Sequence, residues 1–158
     1  MEKENYSSDF QLDHIDEQIL NLLVENAKLG SKEIASHVGL TVTPTYERIR
    51  RLEKRGFIKS YKAVLDKKKL GKNLSVLCNV QLKSHASEFI ESFESQVIQL
   101  QEVSNCYHIA GNYDYLLFIE VTDMDEYAEF LKEKLASIPH IATVQSSFVM
   151  RTLKESGY

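Results

Sequence analysis

Apolar residues recur at helical spacing at the start of the chain, at Leu12, Ile15, Ile19, Leu22 and Leu23, with Asp13 placed to cap and Asp16 three residues on to answer it. The spacing predicts a first helix ending near Asn26. Lys28, Leu29 and Gly30 make a polar connection to Ser31, the next cap candidate. A narrow stripe of Ile34, Ala35 and Val38 then predicts a helix of only about two turns, stopped by Gly39. Thr43-Pro44 opens a third helix as a capping hydroxyl followed by a proline whose missing N–H leaves nothing unpaired. On that helix Thr45, Ile49, Leu52 and Gly56 share one face, and Glu47, Arg50, Arg51 and Lys54 share the other. Residues 57–65 alternate apolar and polar and predict a strand. Two short helices, a glycine turn, a third helix with a polar outer face and a following strand describe a winged helix-turn-helix over residues 12–65.

The pattern then changes. A lysine-rich stretch at 66–73 predicts a basic linker, after which strand-like runs at 74–82, 103–110, 115–121 and 141–150 alternate with amphipathic helices at 88–100 and 125–137. Asp123, answered by Glu126, caps the second helix. At a constant offset of 38, Phe89 matches Tyr127, Phe93 matches Leu131, Val97 matches Leu135 and Val103 matches Ile141. A duplicated strand-helix-strand of this kind is the ferredoxin-like βαββαβ unit, so the expected fold class is α+β, with residues 74–150 as the second domain. Residues 1–11 are an N-terminal arm and residues 151–158 a C-terminal tail. Both helices cover one side of the sheet. The other side still carries apolar residues, as in Tyr115-Leu116-Leu117-Phe118-Ile119, and a twin subunit would bury them; a homodimer through this domain is expected.

Charge distribution sharpens the reading of the first half. The whole chain has a formal net charge of -4, but residues 41–72 hold eleven basic and three acidic side chains, a net +8 that leaves -12 on the rest. Such asymmetry fits a local polyanion site, and equally a solvated basic face. For a helix in the major groove, N-terminal residues face base edges while flanking cations meet phosphates. Thr43, Pro44, Glu47 and Arg51 are therefore the candidates for base contact. Arg48 and Arg55 on the flank, with Arg50, Lys54 and Lys59 farther along, suit phosphates or packing, and Tyr46 suits either. A helical bundle that binds protein remains open on these residues alone. In the second half, the turn Gly111-Asn112-Tyr113-Asp114-Tyr115 places Asp114 where it could accept a ligand's ammonium group, with backbone amides for a ligand carboxylate. The same turn also reads as an ordinary hairpin connection.

Taken in order, LDHIDEQILNLLVEN, EIASHVGLTVTP, ERIRRLEKRGFIKSYKAVLD with a nearby LG, AGNYDYLLFIEV and VQSSFVM make nearly the whole chain resemble the Lrp/AsnC (leucine-responsive, feast/famine) regulators. The resemblance implies a transcription regulator with an N-terminal domain for double-stranded DNA. It also implies a C-terminal effector domain that forms dimers and then octamers or other dimer assemblies. Effectors of such proteins are amino acids or related metabolites, held between subunits near the loop written here as GNYDY. Carried over by position, the recognition helix is 43–55 and the effector loop is Gly111, Asn112, Tyr113 and Asp114, with Ser146 and Ser147 on the last strand as further pocket candidates. Thr41 and Thr43 stand where serines are common and keep the hydroxyl; Thr45 replaces a Val or Cys.

An enzyme reading finds no support in the motifs. His14, His37, His85, His108 and His140 are scattered, without metal-ligand spacing, a nucleophile motif or a phosphate-binding glycine loop. No cofactor and no metal are expected beyond the small effector. Cys78 and Cys106 share no ligand spacing and read as small buried thiols. No run reaches the roughly 18 apolar residues of a membrane span, and the polar start lacks a signal peptide's apolar core, so no membrane partner and a cytoplasmic location are expected. The rival within the DNA-binding class is an architectural protein that oligomerises without answering to an effector.

Overall fold

A computed structural model describes residues 10–154, and the chain divides into two compact units between Val64 and Leu65. Most of the arm and half of the tail expected from the sequence therefore lie outside the described residues.

In the N-terminal unit, α1 (His14–Glu25) opens on the expected capping box: Asp13 Oδ1 accepts from the Asp16 amide at 2.8 Å, and the Asp13 amide points back to Asp16 Oδ2. Helix α2 (Ser31–Val38) starts one residue earlier than a cap at Ser31 would place it. Gly30 is the N-cap and Ser31 the first helical residue, because the Glu33 carboxylate reaches back to accept from the Gly30 amide at 2.8 Å. Gly39, at φ 69, supplies the left-handed residue that ends α2. Helix α3 (Val42–Lys54) also begins earlier than Thr43-Pro44 predicts. Thr41 is its N-cap, and the Thr41 carbonyl accepts from the Thr45 hydroxyl at 3.0 Å, which satisfies that fully buried side chain. Pro44 stays within the first turn, where amides have no intrahelical acceptor. Ile19, Leu23, Ile34 and Leu52 form the core, with Leu12, Ile15, Leu22, Val38 and Ile49 packed against it. Burial of each such side chain contributes roughly 1.5–3 kcal/mol.

The expected strand at 57–65 does not form. Gly56, at φ 77, turns the chain so that the Phe57 amide donates to the Leu52 carbonyl at 3.0 Å, and the residues beyond run as coil. Alternation alone cannot make a strand whose N–H and C=O groups find no neighbouring ladder. The coil instead packs back through Tyr61, whose hydroxyl donates to Glu53 Oε1 at 2.9 Å.

The C-terminal unit has the expected βαββαβ order: β1 (Leu74–Leu82), α4 (Ser87–Val97), β2 (Val103–His108), β3 (Tyr115–Val121), α5 (Met124–Glu129) and β4 (Ile141–Phe148). The sheet is antiparallel with strand order β2-β3-β1-β4. Strands β2 and β4 stop two residues short of the expected 110 and 150, and α4 stops at Val97 rather than 100. Helix α5 is interrupted: a π-helical turn (Phe130–Lys134) and a short 3-10 turn (Leu135–Ser137) carry it on to 137. The wider π turn lets Phe130 and Leu135, five apart, both reach the core, so Phe130 takes the buried place that the offset-38 repeat assigns to Leu131. At its start, Asp123 caps as expected, but Glu126 answers the Thr122 amide instead of that of Asp123.

Val76, Cys78, Val80 and Leu82 of β1 and Tyr115, Leu117, Ile119 and Val121 of β3 are buried under Phe93, Val97, Tyr127, Phe130 and Leu135. Their odd-and-even partners, Leu77, Leu116 and Phe118, lie on the opposite face, which no helix of this unit covers. Residues 66–73 are fastened to this unit: Lys67 Nζ lies 2.6 Å from Glu120 Oε1 and Lys72 Nζ 3.1 Å from Glu126 Oε1.

Candidate functional site

Helix α3 shows the side chains expected of a recognition helix, but sorts them differently from the helical-wheel reading. Thr43, Tyr46, Glu47, Arg50 and Lys54 are exposed, and Pro44 is half-buried beside them. Arg48 and Arg51 turn toward α1. Arg48 Nη1 donates to Asp13 Oδ2 and Asp16 Oδ1, both at 2.7 Å, and Arg51 Nη2 donates to Asp16 Oδ1 and Oδ2 at 3.2 and 3.1 Å. Asp13 is held below the usual carboxylate range, chiefly by the Asp16 amide and then by Arg48. The wheel placed Arg51 with the groove-facing residues because it carries no information about an acid 35 residues away. The missed residue is Asp16. Its signal was present: an aspartate in line with Ile19 and Leu23 on the buried stripe of α1 demands a cation. Phe10 adds a second restraint, its ring 4.8 Å from the Arg51 guanidinium carbon and 4.2 Å from that of Arg55.

In the C-terminal unit the turn between β2 and β3 is built around Asp114. Its Oδ2 accepts from the Leu82 amide and its Oδ1 meets His85 Nε2, both at 2.7 Å, while its own amide donates to the Val80 carbonyl at 2.9 Å. Burial pushes this carboxyl up, but the Leu82 amide and His85 outweigh it and hold its pKa below the ordinary value. The carboxylate thus shapes the turn, with one oxygen on the Leu82 amide and the other on the His85 imidazole. Gly111, at φ 142, adopts a backbone conformation that side chains disfavour, and Asn112 is exposed beside it. Tyr113 donates its hydroxyl to Gln145 Oε1, which ties the loop to the uncovered face of the sheet.

Ser146 and Ser147 do not share a pocket, since successive strand residues point to opposite faces. Ser146, opposite Cys78, bonds the Tyr127 hydroxyl under the helices and borders a cleft of about 410 Å³ with Leu131, Leu135, His140 and Lys83. Ser147, opposite Leu77, lies on the uncovered face with Gln145 and Tyr113.

These geometries have counterparts among known proteins. Residues 75–158 match the Lrp/AsnC ligand binding domain, and residues 12–59 match a winged helix-turn-helix DNA-binding domain. The chain belongs to the Lrp/AsnC family. Among relatives of this family, it is 38% identical over 146 residues to the leucine-responsive regulatory protein of Klebsiella pneumoniae, covering 92% of this chain and 89% of that protein. It is 34% identical to the Bkd operon transcriptional regulator of Pseudomonas aeruginosa, over 90% of this chain and 94% of that one. Among solved structures, a transcriptional regulator of Neisseria meningitidis in complex with L-Met superposes with a TM-score of 0.90 at 31% identity, over 93% of this chain and 95% of that one. An AsnC family transcriptional regulator from Agrobacterium tumefaciens superposes at 0.88 with 33% identity, over 93% and 95%. This Lrp/AsnC chain is accordingly a DNA-binding transcription regulator with a ligand-binding domain. Its relatives are regulators rather than enzymes, and no helix among the described residues is long and apolar enough to cross a membrane.

Proposed function

We propose that the protein is a homodimeric regulator, built into a higher assembly such as an octamer, whose hold on specific DNA is set by an amino-acid effector. The observation that carries the effector reading is the superposition of this chain on a transcriptional regulator crystallised with L-Met, over nearly the full length of both chains. In this reading the ligand sits against the uncovered-face side of the β2–β3 turn. Amides around Gly111 and Asn112 receive its carboxylate, Tyr113 and Ser147 line the site, and Asp114 holds the turn in shape. Dimerisation is supported by the uncovered sheet face, where Leu77, Leu116 and Phe118 share the surface with a 49% exposed Tyr107. Helix α3 enters the major groove in the same reading, with Thr43, Pro44, Tyr46, Glu47 and Arg50 toward base edges and Lys54 toward phosphate.

A thermal-shift screen of the twenty amino acids tests the effector reading, because a ligand of the folded state raises the melting temperature by mass action. At least one amino acid is expected to stabilise the protein and to change its affinity for DNA by about 5–150-fold. Stabilisation by none, with undiminished DNA binding, would favour the architectural alternative.

A further inference from the structure

Helix α3 and its C-cap carry five cations, but they differ in freedom. The only hydrogen bond of the Arg50 side chain among the described residues is a 3.5 Å contact with the Tyr46 hydroxyl, and Lys54 makes no ion pair there. Arg48 and Arg51 both converge on Asp16, whose side chain is 1% exposed. A carboxylate taken out of water is tolerated when cations and donors surround it, and removal of its charge releases those partners. The Arg48 and Arg51 side chains are themselves still 23% and 40% exposed, so release would return two guanidiniums to solvent on the DNA-binding helix.

We propose that Asp16 is a specificity-determining positioning residue, which withholds Arg48 and Arg51 from phosphates and so keeps non-specific DNA affinity low. The inference rests on the reading that α3 enters the groove. A cation that reaches a phosphate adds affinity equally on every sequence and increases the salt dependence of binding. A long, released arginine finds a phosphate in any register, whereas the base-reading residues act only in the correct one. Neutralising two of the helix cations from within the fold therefore widens the ratio between cognate and random DNA. Asp13, paired with Arg48 alone at 2.7 Å, makes the smaller contribution.

The test is the Asp16→Asn variant of the full chain, which preserves side-chain shape and an acceptor oxygen. Binding is measured by fluorescence anisotropy across a salt series, on a duplex selected by the wild type from a random library and on a random-sequence duplex of equal length. The salt slope on the random duplex should steepen by about 0.9 for each arginine released, random-duplex affinity at low salt should rise about tenfold, and the selected-to-random ratio should fall. Adding Arg48→Gln and Arg51→Gln to that variant should return the slope to the wild-type value. A merely structural role predicts weaker binding to both duplexes with no steeper slope, and that outcome overturns the proposal. If Asp16→Asn does not fold, Asp13→Asn, which keeps a good N-cap and leaves Arg48 held by Asp16 alone, should steepen the slope by a fraction of the roughly 0.9 expected of a fully released arginine, and an unchanged slope overturns the proposal. Equal wild-type affinity for both duplexes would instead refute the groove reading, and this inference with it.

Discussion

Replacing Asp114 by alanine removes the acceptor that joins the β2–β3 turn to the end of β1. The carboxylate is only 14% exposed and takes the Leu82 amide at 2.7 Å, and Leu82 itself is buried. An orphaned buried donor costs about 1–3 kcal/mol, and the charge on the acceptor places this bond toward the upper part of that range. The His85 contact adds little, since that imidazole is 72% exposed and its pairing is screened by water. A loss of about 2 kcal/mol corresponds to roughly 25-fold faster opening of the Leu82 amide. Native-state hydrogen exchange of that amide in the full chain measures it directly. Asp114→Asn, which retains an acceptor oxygen, should stay close to wild type. The sign with pH follows from the depressed carboxyl: its stabilisation is complete above the ordinary value of about 3.9 and is lost as pH falls through the lower folded-state value. Unchanged Leu82 protection in Asp114→Ala would refute the clamp and return the carboxylate to the list of free ligand contacts.

Two further predictions concern the outer faces. Arg50→Ala should narrow discrimination between selected and random duplexes by about 1–3 kcal/mol, whereas Lys54→Ala should weaken both alike and reduce the salt slope by about 0.9; anisotropy titrations separate them. Phe118→Glu, on the uncovered sheet face, should give a folded monomer in sedimentation velocity, and an unaltered assembly would show that this face is not the interface.

The strands were legible where local pattern and final environment coincide. In β1 and β3 every second residue goes under the helices, and runs rich in apolar residues bounded by polar turns mark their ends at 74–82 and 115–121. The Asp13 cap was legible for the same reason, being settled within one turn. Residues 57–65 show the limit: their alternation is as clear, but a strand needs a partner strand, and the pattern of one segment says nothing about it. At α3, Thr41 and Thr43 offer equivalent hydroxyls on either side of Val42. The choice between them fell to the tertiary burial of Thr45, which bonds the Thr41 carbonyl. The π turn is hidden because the five-residue spacing from Phe130 to Leu135 fits no single helical period. Of the candidate sites, the exposure of Glu47, Arg50 and Lys54 was readable from the wheel. The diversion of Arg48 and Arg51 was not, because it depends on Asp16 across 32 and 35 residues of chain. Likewise Ser146 was assigned with Ser147 by position in the family, although strand geometry sends the two to opposite faces.

In the proposed activity the two units act together: a helix that reads DNA and a domain whose ligand changes how tightly it does so. The most direct test of that activity is anisotropy on the selected and random duplexes, with and without the amino acid that most raises the melting temperature. Binding to the selected duplex should be tighter by at least about 10³, and that affinity should shift by about 5–150-fold on adding the amino acid. Equal affinity for both duplexes, with or without any amino acid, would contradict the proposal.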